Sequence, residues 1–207
     1  MGMLDKELRW AMNKAIFLDR DGTINVDKHY VYKAEDFEFL PYAIEGLKLL
    51  QEEGFLLLVL TNQSGIARGY YTEKELRKLN EWMVHKLQRE GVSITQIFYC
   101  PHLPDAKIKN YRKNCDCRKP ALGMFERAVL EFNIDLAQSY TIGDKLRDHA
   151  ICDRSGCRGY LVGKGEKQDI IDSVERRSGG RIKYMDDLYH CALDILDKRY
   201  NGLSMRK

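Results

Sequence analysis

The stretch Ala15-Ile16-Phe17-Leu18-Asp19-Arg20-Asp21-Gly22-Thr23 runs from four apolar residues directly into charge and a glycine. The apolar run predicts a strand over 15–19 and its abrupt end predicts a functional loop at the strand exit. Asp19 and Asp21 lie two residues apart, so both carboxylates can face one cleft. Taken alone, a DxDG stretch is usually a solvated turn. Its weight depends on what the rest of the chain brings to the same place.

Working outward, Tyr42 to Glu53 spaces Ile44, Leu47 and Leu50 as a helix does, with Gly54 as its C-cap. Phe55 to Leu60 (FLLLVL) is apolar on both faces, which suits a parallel sheet covered by helices on each side. Thr72 and Glu75 form the signature of a capping box that opens a helix to about Glu90, where Gly91 follows. Strands are predicted at Ile94 to Tyr99, Ser139 to Ile142 and Arg158 to Val162, the last closing the sheet. Helices are predicted at Leu122 to Phe132 and Asp144 to Ser155. Strands alternating with helices give a doubly wound, Rossmann-like, mostly parallel α/β sheet with its site at the strand C-termini. Past Gly163 the pattern weakens until a last amphipathic helix from about Met185 to Tyr200. One domain over 1–207 is expected, with a core at about 14–163, a Cys/His loop at 100–117 and a C-terminal extension at 164–207.

The 207 residues are 44% hydrophobic and 31% charged, and no apolar run reaches the roughly 20 residues of a membrane span. A net charge of +3 from 34 basic and 31 acidic residues is too balanced for a nucleic-acid binder. The start of the chain carries Asp5, Lys6, Glu7 and Arg9 before any apolar stretch, so no secretory signal is read and a cytoplasmic location is expected. Neither a nucleic-acid nor a membrane partner is expected, and the chain is expected to act as a monomer.

Three further features give the first stretch its chemistry. A carboxylate attacks phosphorus only if the repulsion between two anions is overcome, which a divalent cation achieves. Asp19 is read as the nucleophile and Asp21 as the group that protonates the leaving alkoxide and then deprotonates water, its carbonyl also facing the metal. Thr61 ends the next strand and offers a hydroxyl to phosphate oxygens, although a turn would look the same. Lys119, in Arg118-Lys119-Pro120, offers a point charge to a transferring phosphoryl group, although a lone Lys is usually just solvated. Asp144, in the run Gly143 to Asp148, would complete an oxygen-rich Mg²⁺ site with Asp19, although alone it would read as an N-cap.

A second constellation is Cys100 and His102 followed by Cys115 and Cys117. Three thiolates and an imidazole are the ligand set of a closed tetrahedral structural Zn²⁺ site, in a segment with no other visible source of order. Such a site would anchor the loop that presents Arg118 and Lys119. Cys152, Cys157 and Cys191 lack such company and are read as free thiols of the core.

In the order DxDGT, hydrophobic-Thr-Asn, Lys, GDxxxD, these motifs resemble the haloacid dehalogenase-like (HAD) phosphatases over about Ala15 to Val162. The runs FLDRDGTINVD, TNQSGIARG, CDCRKP and GDKLRD are similar to the branch of that family that removes the 7-phosphate of a heptose 1,7-bisphosphate. The resemblance implies no large cap domain, Mg²⁺ at Asp19, Asp21 and Asp144, and a structural zinc. It also implies phosphoryl contacts from Thr61 and Lys119. The rest of the sugar bisphosphate would be held by Asp27, Lys28, His29, Tyr30, Asn62, Gln63, Ser64, Arg118 and Lys145. After CRKP this chain continues Ala121-Leu122-Gly123, where His-Pro-Gly is the usual turn. Histidinol-phosphate phosphatase shares the acid motifs and a similar zinc loop, but the extra cations favour the bisphosphate. A DNA 3′-phosphatase lacks support from any basic stripe. A non-catalytic, zinc-stabilised interaction module is disfavoured by the intact Asp19 and Asp21.

Overall fold

The computed structural model describes residues 12–163 and 168–204. Met1–Ala11, expected from the sequence to be dispensable, lies outside the described residues. Six parallel strands form one sheet in the order β3-β2-β1-β4-β5-β6, namely β1 Ala15–Leu18, β2 Leu56–Asn62, β3 Gln96–Cys100, β4 Tyr140–Gly143, β5 Arg158–Val162 and β6 Ile182–Met185. The first strand is central and the chain winds away from it in both directions. A crevice therefore opens at its C-terminal end, between β2 and β4, where open α/β sheets bind ligands.

Alternation of side chains builds the two faces. Ile16 and Leu18 of β1 join Leu57 and Val59 of β2 on one face, under helices α1 (Ala43–Glu52), α3 (Glu73–Arg89) and α6 (Leu188–Ser204). Ala15 and Phe17 join Leu58 and Leu60 on the other, under α4 (Gly123–Phe132). All four residues of β1 are buried, as the uninterrupted apolar run requires. The capping box at the start of α3 is formed: the Glu75 amide donates to Thr72 Oγ1 at 3.3 Å and the Thr72 amide to Glu75 Oε2 at 2.7 Å. Two short helices complete the set, α2 (Gly65–Arg68) after β2 and α5 (Gln168–Arg177) before β6.

The sheet does not close at Val162. The short β6 pairs with β5, and Leu188, Cys191, Ala192 and Ile195 of α6 pack into the same core as Leu47 and Leu50 of α1. Four residues between a double glycine and an acidic pair carry too little periodicity to mark a strand. The segment after β4 also differs, being 3-10 over Leu146–Asp153 in place of an α-helix. Its Asp148 side chain turns back to accept from the Lys145 amide at 3.0 Å, which tightens the first turn. Among the described residues no helix is long and apolar enough to cross a membrane.

Where α1 crosses α6, Gly46 faces Leu188 so closely that a Cβ would lie 2.4 Å from Leu188 Cδ2 and 3.0 Å from its backbone. Gly46→Ala should therefore force the helices apart and cost about 1–3 kcal/mol. The check is urea denaturation, with the midpoint falling at constant slope.

Candidate active site

Three strand exits converge on the crevice. Asp19 follows β1, its amide donating to Ile142 O at 3.0 Å, which holds it against β4. Thr61 and Asn62 end β2, and Asp144 follows Gly143 at the end of β4. The cleft has a volume of about 310 Å³ and a mostly polar wall.

Its floor is a buried charge cluster. Lys119 Nζ donates to Asp19 Oδ1 at 2.8 Å and lies 2.7 Å from Asp148 Oδ1, with a third, very short contact to the Leu60 carbonyl. Both Lys119 and Asp148 are 3% exposed, so neither charge is solvated and each depends on the other. Burial alone would lower the Lys119 ammonium, but Asp19 and Asp148 outweigh it and hold the group charged. Burial pushes the Asp19 carboxyl well above the ordinary range, Lys119 opposes this and Asp148 adds to it. Two carboxylates thus share one cation, and the floor carries excess negative charge.

Asp19, Asp144 and Asp148 each bring a carboxylate oxygen within 4.8 Å of the other two. Burial raises the Asp144 carboxyl too, against the pull of Lys145 at 2.7 Å. Gly22 makes the approach possible: its φ of +85° suits only glycine, and a Cβ there would sit 2.5 Å from Asp144 Oδ2. Hard oxygen donors in excess of their cations fit a divalent ion such as Mg²⁺. Asp148 stood in the sequence motif without a role. Its signal was the spacing to Asp144, but a residue four positions into a supposed helix gave no direction for the side chain.

Asp21 is held from three sides. Arg20, wholly buried, forms an ion pair with it at 2.9 Å and also donates to Asn80 Oδ1 and Val31 O. Asn25 Nδ2 donates to Asp21 Oδ1 at 3.0 Å and Gln63 Nε2 to Oδ2 at 2.8 Å. Gln63 also donates to Thr61 Oγ1 at 2.8 Å, and its own oxygen accepts from Tyr71 at 2.6 Å. Asn62 clamps the backbone of Lys119, donating to its carbonyl at 3.0 Å and accepting from its amide at 3.1 Å. Asn62 and Gln63, expected to touch substrate, line the cleft, and their side-chain amides also position Lys119, Thr61 and Asp21.

Of the remaining expected residues, Asp27, His29, Tyr30, Ser64, Arg118 and Lys145 line the cleft. His29 and Tyr30 have φ of 58° and 64°, an arrangement rare for side-chain-bearing residues and typical of functional loops. Asp27 Oδ1 accepts from the His29 amide at 3.0 Å and steadies that turn. Lys28 does not line the cleft and instead pairs with Glu38 at 2.9 Å. Arg68, Tyr71 and Arg147 line it without having been singled out.

Beside the cleft, the Sγ atoms of Cys100, Cys115 and Cys117 and Nδ1 of His102 are brought together at 3.2–3.7 Å for five of their six pairs. Separations of this size are the edges of a tetrahedron with metal–sulfur bonds of about 2.3 Å, so the donor set fits zinc. The cluster is continuous with the site. The Gln63 amide donates to Cys100 O at 2.8 Å, and Arg118 Nη1 donates to His102 O at 3.3 Å. The Gly123 amide donates to Asp116 O at 2.8 Å, and a Cβ at Gly123 would clash with that carbonyl at 2.7 Å. Loss of the usual proline at position 122 thus leaves the loop pinned through its glycine. Glu73 buttresses the far side, accepting from Tyr99 at 2.6 Å and Tyr111 at 2.7 Å.

Comparison with known proteins places this geometry in a family. Residues 116–188 match the family described as HAD-hydrolase-like. The D-glycero-beta-D-manno-heptose-1,7-bisphosphate 7-phosphatase of Haemophilus ducreyi is 49% identical over 150 residues, 72% of this chain and 82% of the relative. A D-glycero-alpha-D-manno-heptose-1,7-bisphosphate 7-phosphatase of Photorhabdus laumondii is 44% identical over 153 residues, 73% of this chain and 84% of that protein. The crystal structure of the D,D-heptose 1,7-bisphosphate phosphatase of B. bronchiseptica, complexed with magnesium and phosphate, superposes with a TM-score of 0.74 at 31% identity, covering 89% of this chain and 99% of the other.

Directly behind Asp148, His149 is 1% exposed and its Nδ1 lies 2.7 Å from Thr141 Oγ1. Burial lowers its pKa to about 4, so the native state holds it neutral while the unfolded chain protonates near 6.5. A depressed folded pKa means that its contribution is complete above about pH 6.5 and is lost as pH falls toward 4. Stability should drop over that window by up to about 1.4 kcal/mol per pH unit from this group. Urea midpoints measured from pH 7.5 to 4.5 check this, and His149→Gln should flatten the profile.

Proposed function

The chain belongs to the D-glycero-D-manno-heptose-1,7-bisphosphate 7-phosphatases of the HAD-like hydrolases and is a phosphoric monoester hydrolase, and we propose that it removes the 7-phosphate of the heptose bisphosphate through a phosphoryl group carried on Asp19. The observation that carries the reading is a buried carboxylate on a lysine-braced floor, beneath a cleft lined by further cations.

Asp19 attacks phosphorus through a carboxylate oxygen, and the bond from phosphorus to the sugar O7 breaks. Asp21 gives its proton to that oxygen as it leaves. The carboxylate so formed then takes a proton from water, whose oxygen attacks phosphorus, releases inorganic phosphate and restores Asp19. Arg20, Asn25 and Gln63 fix Asp21 in its orientation throughout. Thr61 accepts from Gln63, which leaves its own O–H to donate to a phosphoryl oxygen. Lys119 holds Asp19 and Asp148 in place and supplies positive charge beneath the reacting group.

Asp19, Asp144 and the Asp21 carbonyl would hold Mg²⁺, with Asp148 beside them. When bound, the ion neutralises charge on both carboxylate and phosphate so that two anions can meet. Cys100, His102, Cys115 and Cys117 would hold a structural Zn²⁺, which fits a closed set without an open position. Asp27, His29, Tyr30 and Ser64 contact the sugar, and Arg118 with Lys145 faces the phosphate that remains on it.

The test is a panel of both anomers of the heptose 1,7-bisphosphate, histidinol phosphate and an aryl phosphate, each with Mg²⁺. The bisphosphate should exceed histidinol phosphate in kcat/KM by at least about a hundredfold, a margin that one well-recognised phosphate supplies. Asp19→Asn should remain folded and show no turnover of any substrate, since an amide cannot carry the phosphoryl group. Preference for histidinol phosphate would overturn the substrate, and normal single-turnover hydrolysis by Asp19→Asn would overturn the mechanism.

Zinc has its own test. Cys117→Ser should lose metal, measured by elemental analysis, and disorder the loop while the α/β core survives. Activity should then fall by on the order of 10- to 100-fold, as expected when support for a site is lost. Full zinc occupancy in the variant would refute the assignment.

A further inference from the structure

Four cationic side chains line the cleft, Arg68, Arg118, Lys145 and Arg147, and they differ in what satisfies them. Lys145 pairs with Asp144, and Arg118 donates to the His102 carbonyl. Arg147 is exposed, so water solvates it. Arg68 has no such protein partner among the described residues. It is half-buried, it forms no side-chain hydrogen bond or ion pair among the described residues, and its Nε is sealed from solvent. An N–H of a charged group that is cut off from water and left unpaired is costly, and folded proteins rarely retain one without a use for it.

The backbone that carries Arg68 is fixed from several directions. Its amide donates to Ser64 O at 3.0 Å, and the neighbouring Ala67 carbonyl accepts from Ile108 at 3.0 Å, which ties α2 to the Cys/His loop. Gly65 admits the Tyr71 ring where a Cβ would come within 2.2 Å. Gly69, at φ 79°, ends the helix immediately after Arg68. The guanidinium is therefore delivered to the wall by a rigid element.

We propose that Arg68 is a specificity-determining residue that grips the phosphate retained on the sugar, sharing that dianion with Arg118. The inference rests on the bisphosphate reading above. The transferring phosphoryl group is served at the floor by Thr61 and Lys119, whereas Arg68 stands one helical turn beyond Ser64 and bonds none of the floor carboxylates. A phosphate monoester carries close to two negative charges at neutral pH. Two guanidinium groups match that charge, and their forked N–H groups take its oxygens in pairs. A substrate with a single phosphate leaves Arg68 without its partner.

The experiment compares kcat/KM for heptose 1,7-bisphosphate and heptose 7-phosphate in wild type, Arg68→Gln and Arg68→Lys, with melting temperatures for all three. Wild type should prefer the bisphosphate. Arg68→Gln should lose on the order of 10- to 100-fold on it, chiefly in KM, and lose far less on the monophosphate. Arg68→Lys, which keeps the charge and loses the fork, should fall between. Equal losses on the two substrates, or no loss on either, in the folded variants would overturn the role of Arg68 while leaving the substrate reading intact. A wild type with no preference for the bisphosphate would overturn that reading, and the role of Arg68 with it.

Discussion

The site depends on one buried ammonium. Lys119 comes from a long excursion after β3, yet it reaches under the sheet exits to touch Asp19 after β1, Asp148 after β4 and the carbonyl of Leu60 in β2. Removing charge from water costs several kcal/mol per ion unless each charge finds a partner. Neither the lysine nor the carboxylates could occupy this place alone. The mutual requirement draws three strand ends and one loop to a single point, and the shape of the cleft follows from it. It also leaves one carboxylate too many for one lysine, an imbalance that suits a site built to receive a further cation.

Support for that lysine is layered. Asn62 clamps its backbone, the Cys/His cluster anchors the residues just before it, and Gly123 locks the following helix against Asp116. None of these groups needs to touch a reacting atom. Their effect is to remove freedom from Lys119 and Arg118 before substrate arrives, which is where much of the advantage of a preorganised site lies.

Much of this was legible in the sequence because burial and periodicity are local properties. The apolar runs of β1 and β2, the capping box at Thr72 and the glycine stops announced the central sheet and its helices. The gathering of Cys100, His102, Cys115 and Cys117 was legible as well, since spacing in an otherwise patternless segment left few other readings. What escaped was decided by tertiary direction. Arg20 reads as a surface residue between two acids, yet it is wholly buried and orients Asp21 through partners as distant in sequence as Asn80. Asn62 and Gln63 line the cleft as the sequence led one to expect, but their second task, holding Lys119, Thr61 and Asp21 in place, had no signal in the sequence. The strand β6 has four residues and little alternation, so only its pairing with β5 identifies it.

The position of β1 has a consequence for how the molecule comes into being. Of the described strands, the one made first is the one that ends in the middle of the sheet, and it gains β2 as a neighbour early. Its other edge waits for β4, with the Ala15 amide reaching Ser139 Oγ across 124 residues of chain. Until that later segment has been synthesised, one side of β1 lacks its hydrogen bonds and Asp19 lacks half of its surroundings. Contacts so distant along the chain slow folding and prolong the exposure of apolar edges. The nascent chain therefore passes through a long interval with Asp19 made and no working site around it.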